Sequence, residues 1–216
     1  MFDKLSFGIC WYNDPSIFRL LDSLPKQAKK IIVDGKFKMN PSKQELSFKY
    51  LRDKVLEYDN VDLIDAPNLD EPRKRDVYLI DNPYKYLIIM DSDEFIVSYR
   101  WDDFFNAVKD IDEGIHNLFI ETDSMGGTST YPRLWVSPKD WRYTMCHNIF
   151  KNEKLGLVQR SGSTNGKTIP GLLMSTNDDM RNETYLKQVS EYQGHMIKFE
   201  VPFRHKFRDG DLSDFI

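Results

Sequence analysis

Asp91 and Asp93 stand two residues apart at the end of the apolar run Tyr86-Leu87-Ile88-Ile89-Met90, with Glu94 directly after them. Carboxylates crowded at the end of a buried strand repel one another and lose hydration, so a cation or several donors must offset them. Oxygen ligands of this kind suit Mg2+ or Mn2+, hard ions that keep some waters and accept phosphate oxygens. The competing reading is an acidic turn at a strand end. Other polar groups follow the neighbouring apolar runs: Trp11-Tyr12-Asn13-Asp14 after the first, Asp34-Gly35 after the second, Asp65 after the third. In an open parallel sheet the carboxyl ends of the strands are where ligands bind.

The elements that would carry these residues alternate along the first half of the chain. Leu5 to Cys10, Lys30 to Val33, Val61 to Ile64 and Tyr86 to Met90 read as strands, and Leu118 to Glu121 as another. Between them, Ile17, Leu20, Leu21 and Leu24 recur at helical spacing after the N-cap pair Asp14-Pro15. Ser42-Lys43-Gln44-Glu45 reads as a capping box leading into Phe48, Leu51, Val55 and Tyr58. Further helices are expected from Glu71 or Pro72 to Ile80 and over Trp101 to Val108. This rhythm predicts an α/β chain: a doubly wound, mainly parallel sheet with helices on both faces. Past residue 125 the rhythm is lost, and Gly126-Gly127, the aromatic stretch Tyr131 to Trp141 and the polar run Ser161 to Lys167 predict an irregular C-terminal third of long loops and mixed strands.

Composition sets the outer bounds. The 216 residues, 40% apolar and 30% charged, suffice for one globular domain, and a net charge of -4 gives no general reason to expect nucleic acid as a partner. Cys10 and Cys146 are far apart and fit neither a disulfide framework nor a zinc site. No apolar run approaches the roughly 20 residues that span a bilayer. The opening Met1-Phe2-Asp3-Lys4 carries no secretory signal, and the expected location is the cytoplasm. The abrupt ending Ser213-Asp214-Phe215-Ile216 reads as that of a fragment of something larger.

The run from Tyr86 to Phe95, with Asp91-Ser92-Asp93-Glu94-Phe95 at its end, resembles the DXD motif of GT-A fold glycosyltransferases in small family-2-like members. Ser6 to Asp14 and Val33-Asp34-Gly35 are similar to that family's first two strands and their nucleotide-contacting ends, so the likeness covers about residues 5 to 125. It implies a single GT-A-like domain over 1–216, residues 1–125 binding a nucleotide sugar and 126–216 facing the acceptor. It also implies transfer from a nucleoside-diphosphate sugar, UDP-sugars favoured, to a glycan, lipid-linked or protein-linked hydroxyl. Trp11, Tyr12 and Asn13 would then flank the nucleoside and Asp34 would accept from the base, while Asp91, with Ser92 beside it, would lie near ribose or metal. Asp93 would be the direct ligand of Mn2+ or Mg2+. In Asp70-Glu71-Pro72-Arg73-Lys74-Arg75, where the family often has an Ala-Arg-Asn-like run, Arg73 and Arg75 cannot share a direction, so one would face the diphosphate and the other solvent.

The same resemblance implies a histidine completing the metal shell, His205 first and His195 next, with His147 in an aromatic stretch and His116 structural at a strand start. For the carboxylate base of an inverting transfer, Asp123 leads, followed by Asp178, with Glu121 and Asp179 as alternatives. A haloacid-dehalogenase-like phosphatase also begins with Asp-x-Asp after an apolar strand, but that motif should open its domain. A nucleotidyltransferase would need a Gly-rich, Arg-bearing loop after the first strand, which this sequence lacks. A non-catalytic carbohydrate- or nucleotide-binding module is the alternative of a different class.

Overall fold

The run ending in the acidic triplet becomes β4 (Tyr86–Asp91), a strand in the interior of an eight-stranded sheet. This computed structural model describes residues 1–122, 127–144, 149–160 and 166–176. All of them belong to one compact unit, Met1–Asn177. β1 (Leu5–Trp11), β2 (Lys29–Asp34) and β3 (Val61–Asp65) form with β4 a parallel half in the order β3-β2-β1-β4. The order continues through β7 (Gly127–Val136), β6 (Gly114–Thr122) and β11 (Thr168–Thr176) to β5 (Glu94–Tyr99) at the far edge. Only β7 and β5 oppose the common direction. A second sheet pairs β8 (Trp141–Tyr143), β9 (Ile149–Asn152) and β10 (Leu157–Arg160).

One link in this topology bends the whole sheet. β5 lies four places from β4, about 19 Å away if the sheet were flat. Yet only Ser92 and Asp93 separate the two strands, a reach of at most about 11 Å. The sheet must therefore curl back on itself at the acidic turn. It does so where β7 leaves β4: their pairing ends at Ile88↔Leu134, and β7 continues alongside β6 alone.

Strand alternation sorts the core onto two faces. Leu5, Phe7, Ile9 and Trp11 of β1 join Tyr86, Ile88 and Met90 of β4 in one cluster. That cluster is closed by α1 (Ile17–Ser23), α2 (Lys49–Val55) and α4 (Trp101–Val108). Cys10, Leu87 and Ile89 point the other way, against Tyr78 and Leu79 just past α3 (Glu71–Asp76) and the aromatics Trp135, Trp141, Tyr143 and Phe150. Helices thus flank both faces, as the alternation of the first half predicts.

The differences from expectation are local. The Ser42 capping box starts no helix: the Ser42 hydroxyl accepts from Gln44 N and lies 3.0 Å from the Tyr12 hydroxyl, and Ser47 N is drawn to Asp34, so the backbone is held in a loop until Lys49. Asp14 accepts from Ser16 N at 2.9 Å, and the helix begins at Ile17. Residues 94–99 form the edge strand β5, with Phe95, Ile96, Val97 and Tyr99 in it, an element outside the expected set of strands. Beyond residue 126 the described residues are rich in strands, with β7 and β11 built into the main sheet.

Gly8 of β1 lies under the ring of Tyr78, and a Cβ there would fall 2.8 Å from ring atoms. Gly8→Ala is expected to destabilise the protein by about 1–3 kcal/mol, the usual cost of overpacking, measured by urea unfolding. An unchanged midpoint would mean that Tyr78 does not pack over β1 as closely as described.

Candidate active site at the end of the central strand

Strand parity decides which groups meet at the end of β4. Asp91 is paired with Cys10 and shares the face of Leu87 and Ile89, the face against which α3 packs. α3 is capped by Asp70, whose side chain accepts from Arg73 N at 3.0 Å. From that start, positions 71, 74, 75 and 78 fall on one side at helical spacing. Arg75 therefore points inward, its side chain 13% exposed, while Arg73 points out at 77%. Arg75 Nη2 donates to Asp91 Oδ1 at 2.8 Å, its Nε donates to Glu71 at 2.9 Å, and Nη1 reaches the Tyr78 hydroxyl at 3.5 Å.

A second arginine arrives from β7. Consecutive residues His116 and Asn117 of β6 pair with Leu134 and Pro132, leaving Arg133 as the extra residue of a β-bulge. The bulge turns Arg133 toward the strand end, where Nη2 donates to Glu94 Oε1 and, at 3.2 Å, to Asp91 Oδ2. The other oxygen of Glu94 accepts from Asp91 N at 2.8 Å, closing the turn. Ser92 donates to Asp14 Oδ2 at 2.7 Å, tying the turn to the segment after β1. Asp93 is buried within it.

The electrostatics follow from burial. Glu94 is 2% exposed, and burial pushes its carboxyl up to about 7; Arg133 pulls in the opposite direction, while Asp91 and Asp93 push it further up. Burial also works against the guanidinium charges. The carboxylates more than offset it, so Arg75 and Arg133 hold their protons more tightly than an ordinary arginine. Asp91, Asp93 and Glu94 offer the oxygen donors a divalent cation takes. Among the described residues no three His, Cys, Asp or Glu side chains are grouped to enclose an ion.

No family model matches this chain, and no curated protein matches it significantly. Among solved structures it is similar to S. aureus TarS 1-349, with 16% identity and a TM-score of 0.46 over 84% of this chain and 63% of that one. The same TarS segment in complex with UDP gives the same values. In complex with UDP-GlcNAc it gives 18% identity and a TM-score of 0.40 over 56% of this chain and 34% of that one. The chain thus spans less than two thirds of the TarS segment. A likeness this loose says nothing about chemistry, which only the site's own residues can indicate.

The other residues singled out by sequence take several different roles. Trp11 is packed in the core at 1% exposure, its indole N–H donating to Asp14 O at 2.7 Å. Tyr12 donates to Gln44 O at 2.8 Å and lies 3.0 Å from the Ser42 hydroxyl. Asn13 takes a positive φ of 51° and accepts from Phe48 N at 2.7 Å. Asp34 lies on the face opposite Asp91, fully buried, accepting from Ser47 Oγ at 2.5 Å, from Ser47 N and from Arg52. Asp34 thus anchors the loop before α2 to the sheet and, fully buried, presents no open edge for the expected bond to a base. Trp11 likewise offers no open face for stacking.

His116 is structural as expected: Nδ1 accepts from Lys167 N at 3.2 Å, so Nε2 donates to Asp112 O at 3.0 Å. Asp123, Asp178, Asp179, His147, His195 and His205 lie outside the described residues, and Glu121 lies there in its side chain. Sequence reasoning missed Arg133 at this strand end. A lone arginine beside a proline inside an aromatic strand is the mark of a bulge. The shared spacing of Glu71, Lys74, Arg75 and Tyr78 marks a helix turning charge inward.

Arg133→Met leaves Glu94 buried without its cation and is expected to cost about 3–5 kcal/mol in unfolding free energy. Glu94→Gln added to Arg133→Met should recover part of that loss. Additive effects in the double-mutant cycle would show that the pair is not coupled.

Proposed function

We propose that this chain is a glycosyltransferase that moves a sugar from a nucleoside-diphosphate sugar, UDP-sugars favoured, to an acceptor hydroxyl with inversion. One observation carries this reading. At the carboxyl end of a central parallel strand, Asp91, Asp93 and Glu94 converge with the inward arginines Arg75 and Arg133. An anionic leaving group needs cations placed where its charge develops, in a site screened from water. Two guanidiniums with forked donors meet that need for a diphosphate. Asp93 and Asp91 would hold Mn2+ or Mg2+, and such an ion supplies Lewis-acid stabilisation of the departing diphosphate when bound.

The bond changes are those of a single displacement. The acceptor oxygen attacks the anomeric carbon while a carboxylate takes its proton, with Asp123 the first candidate and Asp178 the next. The bond from that carbon to the diphosphate oxygen breaks, and its electron pair leaves with the nucleoside diphosphate. Arg75 and Arg133 offset the charge that appears there. Asn13 and Tyr12, bonded to the loop before α2, would flank the nucleoside on this reading.

A phosphatase of the Asp-x-Asp type is disfavoured by Asp91, whose two oxygens accept from Arg75 and Arg133. A carboxylate so engaged is a weak nucleophile. The acceptor's class, whether glycan, lipid-linked or protein-linked, has no counterpart among the described side chains. Among the described residues no helix is long and apolar enough to cross a membrane.

Thermal unfolding with uridine, guanosine and cytidine diphosphates, each with and without Mn2+, tests the reading. UDP with Mn2+ at a hundredfold excess over its Kd should stabilise the protein by about 2.7 kcal/mol. Asp93→Ala should keep the fold and lose turnover by orders of magnitude. No stabilisation by any nucleotide and metal overturns the transferase, and unchanged sugar binding by Asp93→Ala without any turnover in the wild type points to a binding module.

A further inference from the structure

Lys74 is fully buried. From α3 its Nζ donates to Trp11 O at 3.0 Å and to Gly35 O, and it stands 4.2 Å from the centre of the Phe37 ring. Trp11 closes β1, and Gly35 follows β2 directly. Gly35 N also donates to Trp11 O at 3.2 Å, so one ammonium stitches two neighbouring strand ends together. Gly35 itself has φ +128°, and a Cβ there would fall 2.7 Å from Pro67. The backbone at this corner is therefore closely constrained.

We propose that Lys74 is a positioning residue for the donor nucleotide: its ammonium fixes the segments after β1 and β2 and sets one positive charge beneath the diphosphate. The inference rests on the transferase reading and adds a residue and a charge that the motif does not contain. Two physical points support it. Carbonyl oxygens at the carboxyl edge of parallel strands present lone pairs where an anion is to bind, and Lys74 covers two of them. Further, a neutral donor such as glutamine could tie the same carbonyls without the penalty of burying a charge.

That penalty is visible. Burial draws the Lys74 ammonium down to about 8, against support from Cys10 on β1 and Asp34 on β2, with Arg75 on its own helix opposing it. Among the described residues no carboxylate lies within ion-pair distance of Lys74. It remains protonated at neutral pH and loses its proton just above it. An anion bound at this edge would hold the proton on.

The test is calorimetric titration of the full chain with UDP and with uridine, in Mg2+ buffers from pH 7 to 9. The wild type is expected to lose about tenfold in UDP affinity across that range as the ammonium discharges, with uridine affinity unchanged. Lys74→Met should bind UDP about tenfold more weakly at pH 7 and show no such slope. Should Lys74→Met fail to fold, the wild-type profile decides alone. UDP binding that is strong and flat from pH 7 to 9 overturns the role of Lys74 and leaves the transferase reading intact. No UDP binding by the wild type at any pH removes that reading, and this inference with it.

Discussion

Arg133 lies against Glu94 and Asp91 at a place nearly closed to water, and the strand end is arranged around keeping those charges matched. A buried Glu94 with a half-buried guanidinium and a second carboxylate beside it is stable only if every partner stays in reach, because a single orphaned buried charge costs several kcal/mol. That constraint acts on distant parts of the chain. It requires the bulge in β7, which alone turns Arg133 inward. It requires Glu94 to fold back onto Asp91 N, which sharpens the turn between β4 and β5. And it requires α3 to present Arg75 rather than Arg73 to the sheet.

Parity then divides the labour between the two faces. Asp34 and Asp91 are both acids at the ends of parallel strands, yet Asp34 aligns with Trp11 and Asp91 with Cys10, one residue earlier. Because successive side chains alternate, the two acids cannot serve the same surface. Asp34 goes to Ser47 and Arg52 and holds the loop before α2; Asp91 goes to the arginines. One acid maintains the frame, and the other belongs to the candidate site.

The first half of the fold was legible because its strands are short runs rich in apolar residues and its helices carry apolar residues at helical spacing. β4 and the acidic triplet after it stand out for the same reason. What sequence could not supply was contact across the chain. Nothing in the order of residues says that Arg133 reaches back to Asp91, since that depends on a bulge and on the departure of β7 from β4. The Ser42 capping box misled because its hydroxyl is claimed by Tyr12 and Gln44 N, tertiary and local bonds that outweigh propensity. Lys74, in the middle of a basic run, reads as solvated surface until helix phase and the Asp70 cap are both known.

The two arginines also set a condition on how the site can fill. Each already has carboxylate partners, so an arriving diphosphate competes with Asp91 and Glu94 for the guanidinium charge. An anion that took both arginines would leave the buried Glu94 and its neighbour Asp91 short of positive charge. The oxygens so released are the ones a divalent cation takes. On the proposed function, binding of the anion and of the cation are for this reason interdependent at this strand end. A requirement for metal would then follow from charge balance in a buried cluster, independently of any likeness to a known motif.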